Sequence, residues 1–303
     1  MALSAARDAA ASQHYPQAAL YLVATPIGNL ADISLRALHV LQLVETIACE
    51  DTRHTQALLR AYGIEKAGAH LLALHRHNEL EAAGLVIERL RQGQRVAYVS
   101  DAGTPAISDP GARLVAAVRD RGLIVVPVPG PSSVTTALSV AGIEIDNSQD
   151  GGFAFAGFLP SKSAERSARI ALLATEPRAI VLLEAPHRID ALAAALSSLG
   201  QRKLTVAREL TKQFEEIATL AAADFVSWLS TDSNRSRGEF VLVLHPDIVP
   251  AQVGDEQRIL KLLLAELPLK TAVKLAADIT GASRNVLYQS ALAQKNTGPD
   301  KPK

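Results

Sequence analysis

Cysteine, aromatic side chains and a surplus of charge of either sign are what this sequence has least of. Cys49 is the single cysteine in 303 residues, so no disulfide can close within the chain, and the N-terminus lacks the basic-then-apolar pattern of an export signal. The expected compartment is the cytosol. Aromatic residues make up 4% of the chain although 48% of it is hydrophobic. A core of Ala, Leu, Val and Ile suits helices packed on buried parallel strands better than a sandwich. No apolar run approaches the roughly 20 residues needed to span a bilayer. The formal net charge is zero, which argues against coating long duplexes by bulk electrostatics while leaving room for a local basic patch on structured RNA. Neither G-x-x-x-x-G-K-[ST] nor G-x-G-x-x-G occurs, so the familiar triphosphate and dinucleotide sites are disfavoured.

What is present is βαβ grammar. Residues 1 to 18 carry Ala, Ser and Gln without a packing pattern and read as a flexible, frayed leader. Strands are expected over residues 20–25, 46–50, 71–75, 95–100 and 124–128, with amphipathic helices between them. Asn78 with Glu81 has the form of a capping box, Gly93 ends that helix, and Asp109, Pro110 and Gly122 bracket another. Right-handed crossovers then give a mostly parallel sheet. A less regular second unit has strands over 152–158, 179–183, 204–208 and 239–244, and a polar stretch, 143–152, reads as a loop after the inter-domain connection. The expected domains are 19–135 and 136–248, both α/β. The second sheet is expected to be mixed. A Pro-bounded linker at 246–250 leads to a helical, helix-turn-helix-like appendage over 255–296. Between Asp255 and Lys303 there are eight Lys or Arg against five Asp or Glu, an excess of three, compatible with phosphate contacts and equally with a solvated or dimerising element.

Three turns follow expected strand ends, where open α/β sheets place their ligands. They are Thr25-Pro26-Ile27-Gly28-Asn29-Leu30, Ser100-Asp101-Ala102-Gly103-Thr104-Pro105 and Pro129-Gly130-Pro131-Ser132-Ser133. Gly28, Gly103 and Gly130 remove the Cβ that would keep a ligand off the backbone, and amides there can bond a polar group. Any one of them alone reads as an ordinary tight turn. In this order, together with Val23-Ala24 before the first turn, Glu50-Asp51-Thr52-Arg53, and Ala106-Ile107-Ser108-Asp109-Pro110-Gly111 after the second, they resemble the tetrapyrrole methylase superfamily, in particular its ribosomal RNA branch. The resemblance spans roughly Tyr21 to Leu244, and the helical tail resembles the appendage of the same branch.

The resemblance implies two α/β domains with S-adenosylmethionine between them, a homodimer, and 2′-O-methylation of a cytidine in small-subunit (16S) ribosomal RNA, naked or within the assembled subunit. It puts Ile27, Gly28, Asp101, Thr104, Ser132, Ser133, Leu183, Ala207 and Glu239 at or near the cofactor, with Ala102, Gly103 and Gly130 in the same turns. Asp101 at a strand end would offer a carboxylate to a ligand carrying an ammonium and a sulfonium, and Ser132 sits at a helix start.

Two further strings end strands and resemble family strings, Leu183-Glu184-Ala185-Pro186-His187-Arg188 and Ala207-Arg208-Glu209-Leu210-Thr211-Lys212. Glu184, Arg208, Glu209 and Lys212 are the catalytic candidates, since a substrate cleft needs cations for phosphate and an acceptor for a hydroxyl proton. Ion pairing at a domain rim is the plainer reading of Arg208 and Glu209. His187, Arg188 and Arg53 are candidate RNA contacts, although Asp51 or Thr52 capping a helix would explain the Arg53 string as well. His75 and His77 lack the partners of a zinc set, so no metal is expected. Cys49, in an apolar strand, reads as a buried inert thiol. The competing functions are a methylase acting on a tetrapyrrole or a modified histidine, and a ligand-sensing nucleic-acid-binding protein without turnover.

Overall fold

The computed structural model describes residues 2–143, 152–247 and 255–296, and the expected loop 143–152 and linker 246–250 lie largely outside them. The order of elements is α1 Ala2–Ala10, β1 Ala19–Val23, α2 Leu35–Leu43, β2 Thr46–Cys49, α3 Thr52–Ala61, β3 Leu71–Ala73, α4 Glu79–Arg91, β4 Val96–Val99, α5 Ala112–Arg119, β5 Ile124–Val128 and α6 Ser133–Val140. The five strands pair in parallel in the order β3-β2-β4-β1-β5. Alternate residues of β1 feed the two faces of the sheet. Tyr21 and Val23 pack with Leu38 and Leu41 of α2, while Leu20 packs with Val86, Leu90, Leu114 and Val118 of α4 and α5. Each such apolar side chain contributes about 1.5–3 kcal/mol by leaving water.

Residues 1 to 18, read above as a frayed leader, fold instead. Ala2–Ala10 is helical and Ala6 is fully buried in the cluster that holds Ala37, Val40 and Leu41. Alanine loses no side-chain entropy in a helix and lets the two backbones approach closely, so an Ala-rich segment without an obvious apolar stripe still packs. The capping box is also absent. The Asn78 amide bonds the His75 N–H and the Ala73 carbonyl and makes no cap to α4. The buried Glu79 beside it reaches across to α5, where Oε1 accepts from the N–H groups of Gly111, Arg113 and Leu114 at 2.9, 3.0 and 3.4 Å. These are the amides that the start of α5, which carries no side-chain cap of its own, would leave without partners.

The second sheet follows in the same compact unit, which extends to Pro246. Its elements are β6 Phe153–Phe158, α7 Ser163–Ala174, β7 Ala179–Glu184, α8 Ile189–Leu196, β8 Lys203–Arg208, β9 Glu216–Ala221, α9 Phe225–Ser230 and β10 Phe240–Leu244. The order is β6-β7-β10-β8-β9, parallel between β6 and β7 and antiparallel elsewhere. Strand β9 has no counterpart in the sequence reading. None of its residues is fully buried, and Ile217 and Thr219 are exposed, as expected of an edge strand. Residues 255–296 belong to a separate unit of three helices, α10 Asp255–Glu266, α11 Leu269–Thr280 and α12 Arg284–Asn296, closed around Leu260, Val273, Ala276, Leu287 and Ala291. Among the described residues no helix is long and apolar enough to cross a membrane.

Candidate active site

The C-terminal ends of β1, β4 and β5 lie side by side, and the three glycine turns that leave them are tied to one another. Thr25 and Gly103 exchange backbone hydrogen bonds in both directions, at 2.9 and 3.0 Å. Thr104 Oγ1 donates to the Pro131 carbonyl at 3.1 Å. Gly130 crosses so close to β1 that a Cβ there would stand 3.0 Å from Ala24 Cβ.

Facing the turns is one edge of the second sheet. Its register aligns Glu184, Phe240 and Arg208 in one row and Leu183, Val241 and Ala207 in the next, so the ends of β7 and β8 come level with the start of β10. The turn after β8 reaches back to the first sheet, where Thr211 Oγ1 accepts from the Asn29 N–H at 3.1 Å. Glu209 and Thr211 both hold positive φ, 51° and 66°, a strain of order 1–3 kcal/mol each for non-glycine residues. Lys212 clamps this turn, with Nζ donating to Glu209 Oε1 and Glu239 Oε2, each at 2.8 Å.

Between turns and sheet edge lies a cavity of about 350 Å³, within the range of small-molecule sites. Of the expected cofactor residues, Ile27, Asp101, Ala102, Ser133, Leu183 and Glu239 line it, with the catalytic candidates Glu184 and Lys212. Gly28 lines an adjoining hollow that shares Ile27, Asp101, Ala102, Lys212 and Glu239 and runs out to His54 on α3.

The other expected residues stand behind or away from the wall. Gly103, Thr104 and Gly130 shape the turns, and Ser132 precedes α6 without a side-chain cap. Ala207 is packed into the core with Val134 and Ala137 of α6. Arg208 is buried, its Nε 3.7 Å from Glu216 Oε2 and its Nη1 on the Arg237 carbonyl, so it is held by strand β9 and does not line the cavity. Glu209 is engaged by Lys212, which draws its carboxyl below the usual range despite the opposing pull of burial. For Lys212 burial works to lower the pKa, and the hydrogen bonds to Glu209 and Glu239 outweigh it, leaving the amine above its ordinary value and charged. Arg53 is exposed and bonds Asp51, which caps α3 through the Arg53 and His54 amides. His187 is exposed. Arg188 turns inward to Glu184, away from the role of a free RNA contact. Cys49 is buried and burial pushes its thiol up to about 11.

Glu50 and Asp109 line the cavity and were not singled out as site residues from the sequence. Burial is the main cause raising both carboxyls, reinforced in each case by the neighbouring Asp101 and countered by Arg76. Both stand inside strings that follow β2 and β4, where helix capping and helix initiation explain acidic residues equally well, so no signal in one sequence separates the roles.

This fold and this cavity define a methylase of the tetrapyrrole type, and the model for tetrapyrrole (corrin/porphyrin) methylases matches residues 19–225. Solved structures share the fold. A cobalamin biosynthetic enzyme, cobalt precorrin-4 methyltransferase, superposes with a TM-score of 0.54 at 20% identity over 75% of this chain and 94% of its own, and a diphthine synthase with 0.57 at 14% over 75% and 90%. The nearer relatives are more particular. The ribosomal RNA small subunit methyltransferase I of Pseudomonas aeruginosa is 48% identical over 282 residues, 91% of this chain and 97% of its own length. That of Escherichia coli O157:H7 is 47% identical over 283 residues, 92% and 96%. Residues 250–295 match the RsmI C-terminal HTH domain. The chain belongs to the ribosomal RNA small subunit methyltransferase I family.

Methyltransferases of this family use S-adenosylmethionine, and the cavity suits it. Glu50, Asp101, Asp109, Glu184 and Glu239 outnumber Lys212 on the wall, and Ile27, Leu183, Leu210 and Val241 supply apolar surface. A ligand with two positive centres and a flat heterocycle matches that combination.

Proposed function

We propose that this protein transfers the methyl group of S-adenosylmethionine to the ribose 2′-hydroxyl of a cytidine in small-subunit (16S) ribosomal RNA, in the cytoplasm and as a homodimer, with the small subunit or its RNA as substrate. The observation that carries the reading is the meeting of three distant glycine turns with the carboxylate-bearing edge of the second sheet around one cavity. Ile27, Gly28, Asp101, Ala102, Gly103, Thr104, Gly130, Ser132, Ser133, Leu183 and Glu239 would hold the donor, with Ala207 supporting them from the core. When bound, the donor supplies an electrophilic methyl group on a sulfonium.

The protein's share of the work is placement. Holding two reactants in near-attack geometry is worth about 7–11 kcal/mol, and the rigid turn around Lys212 serves that end. Charged Lys212, held between two carboxylates, keeps the donor wall fixed. His187 and Arg53, both exposed, would meet the RNA, and the exposed Lys261, Lys270 and Lys274 of the helical unit would offer charges for phosphate.

Incubation with a labelled methyl donor and undermethylated small subunits, followed by digestion to nucleosides, tests the reading. Label on 2′-O-methylcytidine is the expected result. Label on a base atom, on a tetrapyrrole or on a modified histidine in parallel incubations, or binding without any turnover, overturns it.

A further inference from the structure

Among the described residues that line the cavity, Glu184 carries a buried side-chain oxygen, Oε2, that no hydrogen bond satisfies. The Glu184 side chain is 1% exposed. Its sister oxygen is engaged, since Oε1 accepts from the Ala185 N–H at 3.0 Å and is ion-paired with Arg188 Nε at 3.0 Å. Arg188 is fixed in turn, with Nη1 donating to Ser161 Oγ at 3.2 Å and Nη2 to the Leu159 carbonyl. The guanidinium therefore holds one carboxylate oxygen and the chain between β6 and α7, and has no fork left to offer a phosphate.

A buried carboxylate oxygen without a donor is costly unless something that binds there supplies one. Among the described residues the protein does not. The cation on the cavity wall, Lys212, is spent on Glu209 and Glu239, and the other ionisable wall groups, Glu50, Asp101, Asp109 and Glu239, are acids. The missing donor has to come from outside the chain, from water in the resting site and from a ligand that displaces it.

We propose that Glu184 Oε2 accepts the hydroxyl proton of the nucleotide being methylated, and that Arg188 is a positioning residue for Glu184, not an RNA contact. This deepens the methyltransferase reading and rests on it. In the step itself the hydroxyl oxygen forms the new bond to the methyl carbon, and the methyl-to-sulfur bond breaks with its electron pair staying on sulfur. The hydroxyl proton passes to Oε2. Charge balances, because a cationic donor and an anionic carboxylate become a neutral thioether and a neutral acid.

Glu184→Gln keeps the size of the side chain and an oxygen for Arg188 but puts an amide where the acceptor stood. In steady-state assays on undermethylated small subunits kcat is expected to fall about 10²- to 10⁴-fold, the scale of a lost general base. The KM for the subunit and the calorimetric affinity for S-adenosylhomocysteine should both stay within about threefold. Arg188→Lys is expected to lower kcat by at least about tenfold with KM for RNA unchanged. Wild-type kcat in Glu184→Gln, or loss of S-adenosylhomocysteine binding along with activity in a variant that melts like the wild type, overturns the assignment of the acceptor. A raised KM for RNA at unchanged kcat in Arg188→Lys overturns the positioning role. Failure of the wild-type protein to methylate ribose at all is a different result, and sinks the underlying function instead.

Discussion

Gly28, in the turn after β1, packs so tightly against Leu210, in the turn after β8, that a Cβ on the glycine would stand 3.0 Å from the Leu210 carbonyl oxygen and 2.8 Å from Thr211 Oγ1. The two turns come from different sheets, and each makes part of the cavity wall. The Lys212 stem, which an added Cβ would also meet, is tied at its tip to Glu209 and Glu239, and a backbone carbonyl in a turn with two left-handed residues does not rotate away on its own. Gly28→Ala should therefore push the Lys212 turn outward. Overpacking of this kind costs about 1–3 kcal/mol, and with the strain falling on the site, affinity for S-adenosylhomocysteine is expected to drop at least about tenfold. Calorimetry checks it, and unchanged affinity would separate the two turns functionally.

Glu50 and Asp109 give the site a pH dependence of known sign. Burial raises both pKa values, so as the pH falls they lose their charge earlier than ordinary carboxylates do. A cationic donor should bind more weakly as the pH is lowered through the range just above that of ordinary carboxylates. In Glu50→Gln the slope should flatten. The same groups act oppositely on stability, because a raised carboxyl penalises the folded state above its folded pKa and the penalty is relieved as the pH falls through it. Affinity for S-adenosylmethionine measured across that range, beside denaturant midpoints, tests both signs.

The cap that Glu79 places on α5 is a structural counterpart. Three amides share one carboxylate oxygen in a buried setting, so Glu79→Ala should cost about 1–3 kcal/mol, the scale of unsatisfied buried donors. Urea denaturation measures it directly. A loss below about 0.5 kcal/mol would mean that water replaces the carboxylate freely.

How much of this was open to sequence reasoning follows from the kind of signal each feature carries. The parallel sheet was legible because short β-branched runs alternate with helical spacing, and the three turns because glycine directly after a strand end marks a backbone that bends sharply or meets a ligand. The partners of charged side chains were not legible. Nothing local separates Arg188, folded back onto Glu184, from an arginine free to meet RNA. Asn78 and Glu81 fit the capping pattern while the neighbouring Glu79 caps another helix. Strand β9 lacked alternation, and α1 lacked a stripe because alanine packs by being small. Pairings between distant turns, such as Asn29 with Thr211, are set by the tertiary fold.

The helical unit offers a separate test. Lys270 and Lys274 are exposed on α11, and reversing both charges (K270E with K274E) should weaken RNA binding while leaving affinity for S-adenosylhomocysteine unchanged. Each phosphate that the variant no longer neutralises should flatten the dependence of log K on log salt by about 0.7–0.9. Filter binding at several salt concentrations reads the slope, and an unaltered slope would make the unit something other than an RNA-binding element.

The most direct measurement is a crystal structure with S-adenosylhomocysteine bound. The product should lie against Ile27, Asp101 and Ser133, with Leu183 and Glu239 on the opposite wall. Density for it anywhere else on the molecule, or an empty cavity at saturating concentration, would contradict the account.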